Sequence, residues 1–178
     1  MDYKKLLVGW WCVPTRSTVA LAYNKDIHYE QFVQVVWNIT DVVNNEYIVG
    51  KCYSKFQNYK KSDLYGMINN SGKITMMFET STTEDTFSTG VLLKMASINP
   101  KFPYNNLYKQ LNYNYVFQMQ VNLGEEFNPD SNTYMLHNAY MVRTSPQTPI
   151  WFDLPIVRMT VPDFVMAVDE YEASQNDV

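Results

Sequence analysis

Residues 111–123 read Leu-Asn-Tyr-Asn-Tyr-Val-Phe-Gln-Met-Gln-Val-Asn-Leu: every odd position is apolar or aromatic, and every even position but Val116 is Asn or Gln. Successive side chains of a strand point to opposite faces, so this alternation predicts a strand with one dry and one wet face. At ~3.4 Å per residue the run would extend about 44 Å, against a usual strand length of about five or six residues. A strand that long belongs to a barrel, to a bent strand shared by two sheets, or to a projecting hairpin.

Similar patterning predicts further strands over residues 6–13, 32–40, 47–56, 64–68, 73–80, 87–95 and 134–143, and an interrupted one over 150–161 that contains Pro155. In the second of these, Val33, Val35, Trp37 and Ile39 share one face while Gln34 and Asn38 share the other. Gly50 marks a bulge. Asn69-Asn70-Ser71-Gly72 reads as a hairpin turn, because Asn and Gly tolerate the positive φ such turns need. Residues 15–31 are the least readable and hold a strand over 19–23. Residues 164–171 form a short helix with Pro162 near its start, followed by a mobile end. The sum is an all-β, single-domain antiparallel β-barrel or β-sandwich of about eight strands, spanning residues 1–162. An acidic C-terminal segment, helix then tail, occupies residues 163–178.

Composition agrees with one folded domain: 178 residues, 46% hydrophobic and 18% charged, with 14 Tyr and 4 Trp. The net charge of −4 is unevenly distributed. Residues 163–178 hold five acids and no base, leaving 13 acids against 14 bases in the other 162 residues. Such a neutral, aromatic body has little electrostatic protection against association. Only three of the 14 basic residues are Arg (Arg16, Arg143, Arg158), and there is no basic stripe, so nucleic-acid recognition is not expected. The apolar run after Lys4-Lys5 is short and ends in Trp10-Trp11 without a small-residue cleavage site, so it reads as a strand and not as a signal peptide. No stretch reaches the ~18 apolar residues of a membrane span. The expected setting is a cytoplasmic or intracellular assembly, or a virion if the source is viral, with Cys12 and Cys52 as reduced thiols.

Candidate chemistry adds little. Cys12, His28, Cys52 and His137 lack the close pairing of metal ligands, and no metal or cofactor is expected. A glycosidase-like carboxylate pair would have to come from Glu79, Glu84, Asp85, Glu125 and Glu126, and the last four fall in turns, where acids are ordinarily solvated. Residues 128–132 alternate oxygen side chains but lack the glycine and distal Glu of a calcium loop. No phosphate-binding, nucleophile-elbow or zinc-protease motif occurs.

Gly9-Trp10-Trp11 is a G-x-W on the first predicted strand, and in this the chain resembles lipocalins, small-ligand barrels whose first strand opens with that triplet. The resemblance implies that Gly9 and Trp11 pack at the base of a barrel. The aromatic face of Tyr113, Tyr115 and Phe117, with Trp37, either fills the core or lines a ligand cavity. The opposite face, Asn112, Asn114, Gln118, Gln120 and Asn122, lacks the charges that normally keep a strand from pairing with another chain, and is a candidate subunit contact.

These features favour a non-enzymatic structural or assembly protein acting through protein–protein contacts, as a homo-oligomer or in a larger assembly such as a viral or phage tail, connector or capsid accessory component. In that reading the loops near residues 99–106 and 124–132 make lateral contacts. Phe164 and Met166 dock on a neighbour, and Asp169, Glu170 and Glu172 face its basic groups. The alternative is a calycin-like barrel that binds a small apolar ligand.

Overall fold

The chain enters its barrel through a helix, not a strand. In the computed structural model, α1 spans Tyr3–Leu7, and the Asp2 side chain caps it by accepting from the Lys5 N–H at 3.1 Å. Tyr3 and Leu7, one turn apart, are buried on the same side. The strand expected from residue 6 therefore begins only at Gly9, whose φ of +135° suits glycine where the chain turns from helix to strand. The structure describes residues 1–13, 17–23, 26–32, 34–56, 58–79, 86–94, 115–123, 133–147, 150–151 and 158–176.

Twelve strands follow among the described residues: β1 (Gly9–Cys12), β2 (Ser17–Tyr23), β3 (Asp26–Phe32), β4 (Gln34–Val43), β5 (Tyr47–Phe56), β6 (Asn58–Ile68), β7 (Lys73–Glu79), β8 (Thr86–Lys94), β9 (Tyr115–Leu123), β10 (Thr133–Thr144), β11 (Ile150–Trp151) and β12 (Arg158–Met159). Each of β4 to β9 pairs antiparallel with the next, and β1 pairs with both β4 and β10. The result is a closed, eight-stranded antiparallel barrel rather than a sandwich. Closure rests on Trp10, Trp11 and Cys12 opposite Thr144, Arg143 and Val142. Residues 133–138 of β10 pair instead with β2, which carries β3 as an extension of the wall. The poorly readable region thus holds a hairpin of two strands.

The long alternating run is realised over Tyr115–Leu123, nine residues; its first four lie outside the described residues. Of the predicted strand over 150–161, Ile150–Trp151 and Arg158–Met159 pair with each other as β11 and β12, residues 152–157 lie outside the described residues, and Val161 already begins the C-terminal helix.

Turn chemistry sets the hairpins. Asn44 and Asn45 both adopt positive φ (53° and 57°) in the three-residue connection between β4 and β5, where the Glu46 N–H donates to the Val43 carbonyl at 3.1 Å. The expected turn at residues 69–72 is present: Gly72 has φ +78°, and the Asn69 side chain accepts from the Ser71 and Lys73 N–H groups. The bulge anticipated at Gly50 lies across from it, where Thr40 is the extra residue between Ile39 and Asp41. A Cβ at Gly50 would collide with the Asn38 carbonyl. The extra residue resets the alternation, so Ile39 and Val42 both point inward and Asp41 is free to pair with Lys4 at 2.7 Å.

Inside, Trp11, Trp37, Phe78 and Phe117 meet in tilted ring contacts, with Trp11–Phe117 centroids 4.4 Å apart and Trp37 5.8 Å from both Phe78 and Phe117. One end is plugged by α1. The Tyr3 hydroxyl donates to the Asn69 carbonyl and the Asn45 amide donates to the Met1 carbonyl, tying α1 to two hairpin turns. Trp11 Nε1 donates to the Leu7 carbonyl at 2.8 Å. Arg143 donates to the carbonyls of Lys5, Leu6 and Val8. These bonds satisfy the C-terminal carbonyls of α1 with a cation, as the helix dipole favours.

Outside, α2 (Val161–Asn176) lies on the wall. It starts with a reciprocal cap: Thr160 Oγ1 donates to Asp163 at 2.6 Å and accepts from the Asp163 N–H. The helix is longer than the predicted 164–171 and takes in residues 172–176, so the mobile end expected there is helical as far as Asn176. Its stripe Val161, Phe164, Val165 and Val168 covers Trp10, Cys12, Val36, Tyr53 and Val142.

Candidate interaction surface

Each predicted site residue has a definite place, or lies outside the described residues. Asn112, Asn114 and Tyr113 lie outside them, as do the loops at 99–106 and 124–132 and the carboxylates Glu84, Asp85, Glu125 and Glu126. Gln118 is exposed on the outer wall, and Gln120 and Asn122 are residues of the same strand, β9, in register with Asn138 and Leu136 of β10. β9 pairs along both edges, with β8 and β10, so contact through its edge is ruled out and only its face remains. Trp37 and Phe117 are almost fully buried against each other and against Trp11, and Tyr115 packs beside them. The aromatic face fills this part of the interior.

The tail residues meet their own barrel. Phe164 is fully buried beside Tyr59, with ring centroids 6.1 Å apart, and so cannot dock on a neighbour. The basic group faced by Asp169 is Lys61 on β6, at 2.6 Å, and Glu172 accepts from the Lys61 backbone N–H at 2.7 Å. That N–H lies beyond the last described pair of β6 with β7, Asp63 with Glu79, and Glu172 satisfies it. The Asp169 carboxylate raises the Lys61 pKa above its ordinary value. Met166 and Glu170 face outward.

Gln34, expected on a wet face, is buried at 1% exposure. Its Oε1 accepts from the Val13 and Val35 N–H groups, and its Nε2 donates to the Val13 carbonyl at 3.0 Å. The amide thus supplies main-chain bonds where the chain leaves β1.

Cys12 and Cys52 sit on opposite faces of the wall, one under α2 and one inside the barrel. Burial pushes both thiols up to about 12, against weaker opposing hydrogen bonds. A thiol that is neutral at physiological pH is a poor nucleophile. The Trp37 indole N–H faces across the strand pair toward Cys52 but falls short of hydrogen-bond geometry. His28 and His137 are strand residues of β3 and β10. No group of three or more His, Cys, Asp or Glu side chains gathers among the described residues, and no helix there is long and apolar enough to cross a membrane.

The outer wall holds a surface that sequence reading missed. On β4, β5 and β6 the outward side chains Val43, Tyr47, Tyr65 and Met67 are 44%, 44%, 39% and 53% exposed. They are cross-strand neighbours: Val43 is opposite Tyr47, Tyr47 opposite Met67, and Val49 opposite Tyr65, which is in turn opposite Met77 of β7. Val49 and Met77 are half-buried. The Lys51–Asp63 ion pair separates this bare patch from the wall under α2. Contiguous exposed apolar side chains of this kind mark contact sites more often than scattered ones do. Beside the patch is an open depression of about 610 Å³ lined by Met1, Asp2, Lys4, Asp41, Asn44 and Asn45.

No protein family matches the chain, nor does any curated protein or solved structure.

Proposed function

We propose that the protein is a non-enzymatic binding subunit that uses its barrel as a rigid scaffold and the bare wall of β4–β7 to hold another protein. The observation carrying this reading is the contiguous exposed patch of Val43, Tyr47, Tyr65 and Met67. Tyr and Met are enriched in the centres of protein interfaces, and the near-neutral body offers little repulsion. The high thiol pKa values give no support to cysteine chemistry. A repeated subunit of a larger particle is one setting for such a wall.

The test is a photo-crosslinking side chain at position 67, with position 118 on the amide face as comparison. Protein adducts at 67 and none at 118 are expected. Adducts at 118 alone would move the contact to the amide face, and none at either would sink the proposal.

A second reading, a calycin-like ligand barrel, is favoured by a separate observation. The barrel is plugged at one end by α1, where Arg143 brackets the chain beside Gly9: a Cβ on Gly9 would meet Arg143 Nε at 3.3 Å. This packing supports the base-packing role that the G-x-W resemblance implies. Titration with an apolar fluorophore tests it: saturable binding with quenching of Trp emission supports the reading, and no binding removes it.

A further inference from the structure

We infer that the bare wall is an isologous interface whose partner is a second copy of this chain. The inference rests on the reading of that wall as a contact surface. It adds a two-fold axis lying in the interface along the ladder Ile48–Gly66–Met76, a row of three residues paired across β5, β6 and β7.

A two-fold axis in the plane of a face-to-face contact, running across the strands, keeps each strand over its own copy and reverses its direction. Positions equally far on either side of the axis then meet. One step from the ladder, the outward residues are Tyr47 and Val49 on β5, Tyr65 and Met67 on β6, and Thr75 and Met77 on β7. Each pair therefore faces itself across the axis: Tyr65 lies over the partner's Met67, and Met67 over the partner's Tyr65. Apart from Thr75, which lies over the partner's Met77, the contact is apolar on both sides, as suits an isologous core.

Charge supplies the argument for a second copy over an unrelated protein. Three steps from the ladder on β7 are Lys73 on one side and Glu79 on the other. Both are exposed, and neither forms an ion pair among the described residues. The operation that superposes the apolar pairs brings Lys73 over the partner's Glu79, and Glu79 over the partner's Lys73. An antisymmetric charge pair flanking a symmetric apolar centre is complementary to itself.

Sedimentation of the full chain tests this with Lys73→Glu and Glu79→Lys, both at exposed positions where the fold is insensitive. The wild type is expected to show about twice 20.9 kDa at high concentration. Each single variant, with two like-charged contacts per dimer, is expected to dissociate on the order of tenfold more readily. An equimolar mixture of the two variants restores opposite charges at both contacts and is expected to regain the dimer. A wild type that stays monomeric at every concentration overturns the inference, as do single variants that dimerise like the wild type or a mixture that fails to recover. Crosslinks at position 67 to a partner of another mass, with a monomeric wild type, would leave the wall a contact surface and remove only its two-fold use.

Discussion

Two stretches of the same outer wall have opposite fates. Tyr53, Val36, Cys12 and Val142 lie under α2 and are 7% exposed or less, whereas Tyr47, Tyr65 and Met67 stand in the open. Tyr53 and Tyr47 belong to one strand and point the same way, six residues apart, with Lys51 between them. The apolar character of an outward position therefore does not decide whether it is buried. The chain carries a cover for one stretch, and its cover ends at the Lys51–Asp63 pair. The covered stretch contributes to the stability of the monomer; the bare one is available to a partner.

The largest expected effect breaks this contrast at its covered side. Phe164→Ala removes the fully buried anchor of α2 and is expected to cost about 3–5 kcal/mol in a denaturant titration. A loss under about 1 kcal/mol would mean that the helix is not seated on the wall.

Next comes Gln34→Leu, which keeps the volume but leaves the Val13 carbonyl and two N–H groups without their side-chain partner. A loss of about 1–3 kcal/mol is expected by the same measurement.

The two cysteines sharpen the comparison, since Cys12 lies under α2 and Cys52 inside the barrel. Each thiol has a folded pKa of about 12 against an ordinary value of 9.0. For an acid whose folded value is raised, the folded state holds the proton longer, so this stabilisation is complete below pH 9.0 and is lost as pH rises toward about 12. Stability should therefore decline through that window in equilibrium denaturation. Alkylation at pH 8 should spare both thiols in the wild type. In Phe164→Ala it should reach Cys12 well before Cys52; equal rates would show that α2 does not shield Cys12.

Smallest is Met67→Ala on the bare side. With 53% of the residue already in solvent, its effect on monomer stability is expected to stay within about 0.5 kcal/mol. A larger loss would mean that the wall is already covered within the monomer.

Much of the fold was legible because alternation and turn chemistry are local. The strands over 47–56 and 73–79, the turn at 69–72 and the antiparallel return of β10 along β9 follow from side-chain period and from Asn and Gly conformations. Asn44-Asn45 carries an equally local signal, two residues tolerant of positive φ. The Thr160–Asp163 cap was another. The bare wall was legible only in part: Tyr65 and Met67 alternate with Leu64, Gly66 and Ile68, but both sets are apolar, so the period does not tell the inner face from the outer one.

By itself, then, the amino-acid sequence determined the secondary-structure class, most strand positions and the uneven charge of body and tail, since each depends on neighbours within a few residues. Tertiary structure alone decided three things. It closed a barrel instead of a sandwich, through the pairing of Trp11 with Arg143, 132 positions apart. It buried Gln34, a polar residue made affordable by main-chain partners at Val13. And it laid α2 over one apolar part of the outer wall while leaving another bare, a choice set by where Lys61 and the Phe164 pocket receive the helix. Periodicity reports that a strand has two faces; what lies beyond each face depends on chain brought from far away in sequence.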